Sequence, residues 1–169
     1  TFCECVVAPA YTDEALAVFN DGETYKLNKQ IRILRCGDIA AMPKFVGDNE
    51  GGKFNTMKVL ADGSVVIAEP LLTNVRDVED IPAAAGENKA CGAQESTVEP
   101  TEQQLIDLLT AWYINISVRS NGVVIVKNGQ TLCVGTGEQD RVGAVEQAIE
   151  KFAQKYSGDG TLDGAVMSS

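Results

Sequence analysis

The fold of the C-terminal half is decided by residues 119–142, which read Arg-Ser-Asn-Gly-Val-Val-Ile-Val-Lys-Asn-Gly-Gln-Thr-Leu-Cys-Val-Gly-Thr-Gly-Glu-Gln-Asp-Arg-Val. Two β-rich runs, 123–126 and 131–134, flank the pair Asn128-Gly129. Asn-Gly between two such runs is the strongest short-range signal for a hairpin, because both residues tolerate positive φ. The sequence therefore predicts two antiparallel strands joined by a tight turn.

The second predicted strand leads into Gly135-Thr136-Gly137, and a helix is predicted to begin near Gln139 or Asp140. A strand, a glycine turn and a helix start together expose unpaired backbone N–H groups, which favour an anion or a carbonyl oxygen. No third glycine follows at the offset of the dinucleotide-binding fingerprint, so spacing alone indicates only a structural turn. Two polar residues bracket this unit and become the candidate site residues, Asn121 and Arg141.

Composition limits the functions that this chain can have. Apolar residues make up 44% of the chain and charged residues 22%, which is typical of a globular protein. The net charge of -10 argues against nucleic-acid binding, which needs a basic surface. No apolar run is long enough to span a membrane. The five cysteines form no zinc-binding spacing and there is no histidine, so we expect no metal, and reduced thiols in the cytoplasm.

The N-terminal half predicts a parallel α/β unit. A strand over 3–8 is followed by a short helix with Thr12 as its N-cap, and a second strand covers 31–34. A hairpin is predicted around Gly63, with strands over 54–60 and 64–68. Residues 77–97 mix acids, alanines and glycines, which indicates a mobile connector containing at most one edge segment.

Two helices are predicted in the C-terminal half. Thr101 and Gln104 form the pattern of a capping box, and the helix that follows is predicted to bury Leu105, Leu108, Leu109, Trp112 and Ile116. The second helix follows the glycine turn and is predicted to end at 157–160. Its buried face is expected to consist of Val142, Val145, Ile149, Phe152 and Tyr156. Residues 161–169 should lead into a further strand.

Four strings of this sequence resemble one known family: residues 120–124, 128–130, 134–142 and 164–169. They are similar to the aminoimidazole carboxamide ribonucleotide (AICAR) transformylase domain of the bifunctional purine biosynthesis proteins. The pattern of that family reads Ser-Asn-Ala/Ser, then Gly-x-Gly-Ala-Gly-Gln-x-Ser-Arg-Val/Ile, then Val-Met-Ala-Ser. The spacing from Asn121 to Arg141 matches this pattern without a gap.

The resemblance implies an α/β fold, a cytidine-deaminase-like three-layer sandwich, of which this chain would hold parts of two subdomains. Residues 1–98 would be the C-terminal part of the first subdomain. Residues 99–169 would be the N-terminal part of the second subdomain. The resemblance is weak before residue 97 and strong after it, so this chain would be a fragment or a divergent version of the family.

The resemblance also implies an activity. The family transfers a formyl group from 10-formyltetrahydrofolate to the 5-amino group of AICAR during IMP biosynthesis, as a cytoplasmic homodimer. Asn121 and Arg141 match residues that contact the nucleotide, and Val142 matches a position whose backbone lies beside the folate. The Lys-His pair that catalyses the reaction belongs to a segment of the family absent from this sequence. We therefore expect no catalytic residue and no formyl transfer from this chain alone.

The sequence leaves alternatives open. Asn121 would otherwise cap a strand end, and Arg141 would otherwise pair with Glu138 or Asp140. The whole chain would then be a non-catalytic nucleotide-binding or regulatory module, whereas the cyclohydrolase activity of the family has no motif here. The sequence departs from the family pattern in three places: Gly122 replaces Ala or Ser, Thr136 replaces Ala, and Glu138-Gln139-Asp140 replaces Gln-Gln/Met-Ser. A carboxylate at Glu138 would weaken the binding of an anionic ligand or change specificity.

Overall fold

The computed structural model describes residues 3–25, 30–81, 85–89, 92–156 and 160–169. The chain forms two compact units, Thr1–Pro70 and Leu71–Ser169, and each combines helices with small sheets in an α/β arrangement. Residues 157–159 of the predicted helix end at 157–160, and parts of the predicted connector at 77–97, fall outside the described residues. The assignment of 1–98 and 99–169 to two subdomains stays a prediction. None of the helices in the described ranges is long and apolar enough to cross a membrane.

The N-terminal unit contains the predicted parallel α/β element. Strands β1 (Cys5–Ala8) and β2 (Arg32–Arg35) pair in parallel, and helix α1 (Asp13–Asn20) lies between them in the chain. The Thr12 hydroxyl oxygen accepts a hydrogen bond from the Ala15 amide at 3.2 Å. This bond satisfies one of the N–H groups left free at a helix start, so the predicted cap is confirmed.

A separate hairpin completes the N-terminal unit. Strands β3 (Thr56–Val59) and β4 (Val65–Ala68) pair antiparallel. In the turn between them, the Asp62 carboxylate accepts hydrogen bonds from the Ser64 amide and hydroxyl, and Gly63 has a φ of +84°. Positive φ costs glycine little because it has no Cβ, which explains why the hairpin is predictable from sequence.

The C-terminal unit begins with a feature that the sequence prediction missed. Strands β5 (Ala85–Asn88) and β6 (Gly92–Glu95) pair antiparallel, where we expected a connector with at most one edge segment. That expectation was wrong because backbone pairing needs no apolar periodicity, which the sequence lacks here.

The remaining elements form a three-stranded antiparallel sheet with helices. They are α2 (Glu102–Ile116), β7 (Val123–Lys127), β8 (Gln130–Gly135), α3 (Arg141–Lys155) and β9 (Val166–Ser168). The strand order is β8-β7-β9, which confirms the hairpin and the predicted final strand. The Thr101–Gln104 capping box is present at the start of α2.

The central strand β7 contributes to a core on each face of the sheet. Val123 and Ile125 pack with residues of α3, and Val124 and Val126 pack with Ala111 of α2. Successive side chains of a strand point to opposite faces, so an uninterrupted apolar run suits a strand covered on both sides. This sandwiching between α2 and α3 fixes where β7 and β8 end, and therefore where the glycine turn lies.

Part of the predicted buried face of α3 was wrong. Val142 is 68% exposed and Ile149 is 47% exposed, whereas Ala144 and Ala148 are completely buried. The reason is the close approach of α3 to β8, where a Cβ added to Gly135 would overlap the backbone of Ala144. At such a short separation only small side chains fit between helix and sheet.

The predicted apolar stripe of α2 also differs from the observed one. Trp112 is 39% exposed, and its indole N–H donates to the Thr73 hydroxyl at 2.8 Å. The completely or almost completely buried positions of α2 are Ala111 and Asp107. Asp107 is a polar residue that a hydrophobic pattern cannot place in a core, and it has a defined structural role described below.

The structure describes four of the five cysteines. Cys3, Cys5, Cys36 and Cys133 form no disulfide bond, and no cluster of metal-ligating side chains occurs in the described part of the chain. Burial raises the pKa of the Cys133 thiol, with Lys155 and Lys151 acting in the opposite sense. Cys133 is therefore a neutral core residue. Cys91 lies outside the described residues.

Candidate functional site

The hairpin that leads to the glycine turn is held by the buried carboxylate of Asp107. Its oxygens accept hydrogen bonds from the amides of Asn128 at 2.7 Å and Gly129 at 2.8 Å, and from the Gln103 side chain at 3.0 Å. Asp107 is 1% exposed, so these bonds replace the water that the carboxylate loses. Sequence reasoning missed this role. The available signal was an acidic residue one helical turn before the small residue Ala111.

The glycine turn is closed against the segment that precedes β7. The Arg119 carbonyl accepts hydrogen bonds from the Gly137 amide at 2.9 Å and from the Thr136 hydroxyl at 3.2 Å. The Asn121 amide in turn donates to the Glu138 carbonyl at 3.2 Å, and the Ser120–Asn121 peptide bond is cis. Residues 119–121 and 136–138 therefore form one unit, although they lie far apart in the chain.

The side chain of Asn121 reinforces this closure. Its amide nitrogen donates to the carbonyl oxygens of Glu138 at 3.1 Å and Gln139 at 3.0 Å. The side chain is half-buried, and within the described residues its amide oxygen has no hydrogen-bond partner. The Asn121 side chain thus bonds to the segment between β8 and α3. Because the nitrogen is committed, the free oxygen is held in a fixed orientation as an acceptor.

The expectation of unpaired backbone N–H groups at the turn was wrong for three positions. The Thr136 amide donates to the Gln147 side-chain oxygen at 3.0 Å, and the Gly137 amide donates to Arg119. The Gly143 amide at the start of α3 donates to the Asp140 carboxylate at 2.7 Å. The chain satisfies these three donors internally, so they are not available to an anion.

A polar network underlies the turn. The Gln147 oxygen accepts hydrogen bonds from Thr136 and from the Lys151 ammonium at 2.6 Å, and its nitrogen donates to the Glu138 carboxylate. Lys151 also donates to the Val134 carbonyl at 3.0 Å. The Glu138 carboxylate, which we expected to disfavour an anionic ligand, is thus hydrogen-bonded to α3.

Arg141 and Val142, the other two candidate site residues, are exposed at the start of α3. Arg141 forms no ion pair with Glu138 or Asp140, and no other described carboxylate pairs with it. Asp140 caps the helix and Glu138 bonds to Gln147, so the neighbouring acids are occupied. The alternative role of Arg141 in an ion pair is therefore not seen. That Asn121, Arg141 and Val142 contact ligands stays a prediction.

Two glycines explain how the turn is packed. A Cβ at Gly135 would overlap the carbonyl oxygen of Ala144 and lie 2.8 Å from its carbonyl carbon. A Cβ at Gly122 would lie 2.6 Å from a methyl carbon of Val118 and 3.3 Å from the Arg119 carbonyl oxygen. The departure of Gly122 from the Ala or Ser of the family pattern therefore has a steric reason in this chain.

Comparison with known proteins agrees with the resemblance. A family model described as the AICARFT/IMPCHase bienzyme matches residues 1–151. The bifunctional purine biosynthesis protein PurH of Rippkaea orientalis is 33% identical over 168 residues, which cover 99% of this chain and 26% of that protein. PurH of Microcystis aeruginosa is 32% identical over 94% of this chain and 25% of its own length. PurH of Oceanobacillus iheyensis is 31% identical over 99% of this chain and 26% of its own length.

The chain spans about a quarter of the length of these relatives. The match runs across both compact units, and it includes Asn121, Arg141 and Val142. The chain therefore belongs to the AICARFT/IMPCHase bienzyme family.

Proposed function

We propose that this chain is part of an AICAR formyltransferase and that the glycine turn with Asn121 and Arg141 forms a share of the nucleotide site. The proposal rests on the exposure of Arg141 and on its lack of an ion-pair partner in the part of the chain that the structure describes. Its guanidinium is exposed and has no ion-pair partner among the described residues, although Glu138 and Asp140 closely precede it in the chain. A guanidinium without an ion-pair partner can donate parallel hydrogen bonds to the oxygen acceptors of a nucleotide.

The chemistry of formyl transfer explains what such a site has to do. The 5-amino group of AICAR is a poor nucleophile because the ring and the carboxamide withdraw its electrons. Transfer therefore needs orientation, removal of a proton, and stabilisation of the oxyanion in the tetrahedral intermediate. This chain has no histidine, the commonest general base. Its proposed contribution is orientation, with proton transfer supplied by another segment of the complete enzyme.

The remaining parts of the proposal follow from the family resemblance. The cosubstrate is 10-formyltetrahydrofolate, lying beside Val142, and the complete enzyme is a cytoplasmic homodimer of cytidine-deaminase-like subdomains. A second candidate function is a non-catalytic nucleotide-binding or regulatory module, which the commitment of Asn121 to the turn favours. Formylation by the complete enzyme, measured beside AICAR binding, separates the two.

Replacing Arg141 with alanine in the complete enzyme should weaken AICAR binding by about 1.5–3 kcal/mol, the usual range for a hydrogen bond to a charged partner. The free energy of unfolding should change little, because the guanidinium has no partner within the described residues. Titration calorimetry and urea unfolding measure the two effects. Lys155→Ala, which removes a cation from the other end of α3, should leave the affinity unchanged. Unchanged affinity in Arg141→Ala would contradict the proposed contact.

In the complete enzyme, replacing Asn121 with alanine should lower kcat more than it weakens binding, if the amide oxygen orients the carboxamide next to the reacting amine. The variant should also lose about 1–2 kcal/mol of unfolding free energy, because two hydrogen bonds to the turn disappear. Asn121→Asp is the informative control, since it keeps an oxygen acceptor but removes both N–H donors. Steady-state kinetics in which Asn121→Ala keeps the wild-type kcat would refute an orienting role.

A further inference from the structure

A continuous chain of hydrogen bonds connects helix α3 with the candidate ligand residue Asn121. It begins at the Lys151 ammonium, passes through the Gln147 side chain to the Glu138 carboxylate, and continues from the Glu138 carbonyl to Asn121. Lys151 is anchored independently on the Val134 carbonyl. We call this set the Lys151–Gln147–Glu138 network.

The orientation of the Gln147 amide follows from its partners. The oxygen accepts from two donors, the Thr136 amide and the Lys151 ammonium, and the nitrogen donates to a carboxylate. A flipped amide would place an N–H group against two donors and an oxygen against a carboxylate. The side chain therefore has one satisfied orientation, and that orientation specifies where Glu138 sits.

Glu138 bonds through both its side chain and its main chain. The carboxylate is held by Gln147, while the carbonyl accepts from the Asn121 backbone amide at 3.2 Å and from its side-chain nitrogen at 3.1 Å. A displacement of Glu138 would therefore change the orientation of the Asn121 amide. It would also release a carboxylate beside a site that we propose binds an anionic nucleotide.

We propose that Gln147 and Lys151 are positioning residues, which hold Glu138 and thereby set the geometry of Asn121 for the nucleotide. The proposal rests on the proposed function for the identity of the ligand. The positioning itself follows from the hydrogen bonds given above. Neither residue needs to touch the nucleotide.

The test exchanges the glutamine at position 147 and the glutamate at position 138, first at position 147 alone and then at both positions. Gln147→Glu keeps an acceptor for Thr136 and Lys151 but places a carboxylate against Glu138, so the network breaks at that link. Adding Glu138→Gln restores the hydrogen bond, with the amide donor now at position 138 and the carboxylate acceptor at position 147. Gln154→Glu is the matched control, because Gln154 donates to Glu150 in the same helix, is exposed, and makes no contact with the turn.

We expect Gln147→Glu to weaken AICAR binding by about tenfold, as for a lost charge-assisted hydrogen bond. The double variant should recover to within about threefold of the unchanged chain, and Gln154→Glu should bind normally. The Asn121 side-chain amide signals in an NMR spectrum should move in Gln147→Glu and return in the double variant. A general loss of stability would not be reversed by exchanging the two residues.

The outcomes separate the two proposals. If the complete enzyme with the unchanged sequence binds no AICAR, the proposed function is contradicted, and the Asn121 amide signals then still decide whether the network positions that residue. If Gln147→Glu has no larger effect on affinity and amide signals than Gln154→Glu, the positioning proposal is overturned. A double variant that stays as weak as Gln147→Glu overturns it as well.

Discussion

Replacing Asp107 with alanine should lower the free energy of unfolding of the C-terminal unit by about 2–4 kcal/mol. The carboxylate accepts three hydrogen bonds in an almost completely buried position, and hydrogen bonds to charged groups contribute about 1.5–3 kcal/mol each before the cost of burying the charge is subtracted. The two backbone donors of the hairpin turn would lose their acceptor.

Urea unfolding followed by circular dichroism measures the effect, and two milder variants grade it. Asp107→Asn keeps one acceptor oxygen, so it should lose less stability than the alanine variant. Gln103→Ala removes one of the three bonds and should cost about 1 kcal/mol or less. A loss below about 0.5 kcal/mol for Asp107→Ala would mean that the hairpin turn does not depend on the carboxylate.

Replacing Gly135 with alanine should lower the free energy of unfolding by at least about 3 kcal/mol, at the upper end of the range for overpacking a core. The added Cβ would overlap the backbone of Ala144, which cannot move away as a flexible side chain could. Either α3 shifts as a body or β8 bends. Both changes would also displace the glycine turn, so we expect AICAR affinity to fall together with stability.

Thermal unfolding and AICAR titration of the same variant check this expectation. Gly86→Ala is the matched control in the same unit, because nothing lies within 4 Å of a Cβ added at Gly86. The control should keep both its melting temperature and its affinity. If Gly135→Ala keeps the melting temperature of the unchanged chain, the close approach of α3 to β8 is not required for the fold.

The two effects concern opposite ends of the same hairpin. Asp107 holds the turn between β7 and β8, and Gly135 permits the contact between β8 and α3. Between them they determine where the strands end and where the helix begins. The candidate site lies at the second of these points, so its geometry depends on packing that contains no ligand-binding residue.

The sequence by itself determined the local features of this protein. Thr12 caps α1, Thr101 and Gln104 form the capping box of α2, and Asn128-Gly129 turns the hairpin, as predicted. Each of these signals joins residues no more than three apart, so the local sequence is sufficient to predict the hydrogen bond. The family, too, was identified from strings of adjacent residues, and the match over residues 1–151 confirms it.

Only the tertiary structure decided how distant polar groups are satisfied. Asp107 reaches Gly129 across 22 positions, and Thr136 donates to Gln147 across 11 positions. The exposure of Val142 follows from the closeness of α3 to the sheet, which a helical hydrophobic pattern does not contain. The physical reason is that a hydrophobic pattern specifies only which face of a helix or strand is apolar, whereas the separation and rotation of the packed elements decide which donors and acceptors meet.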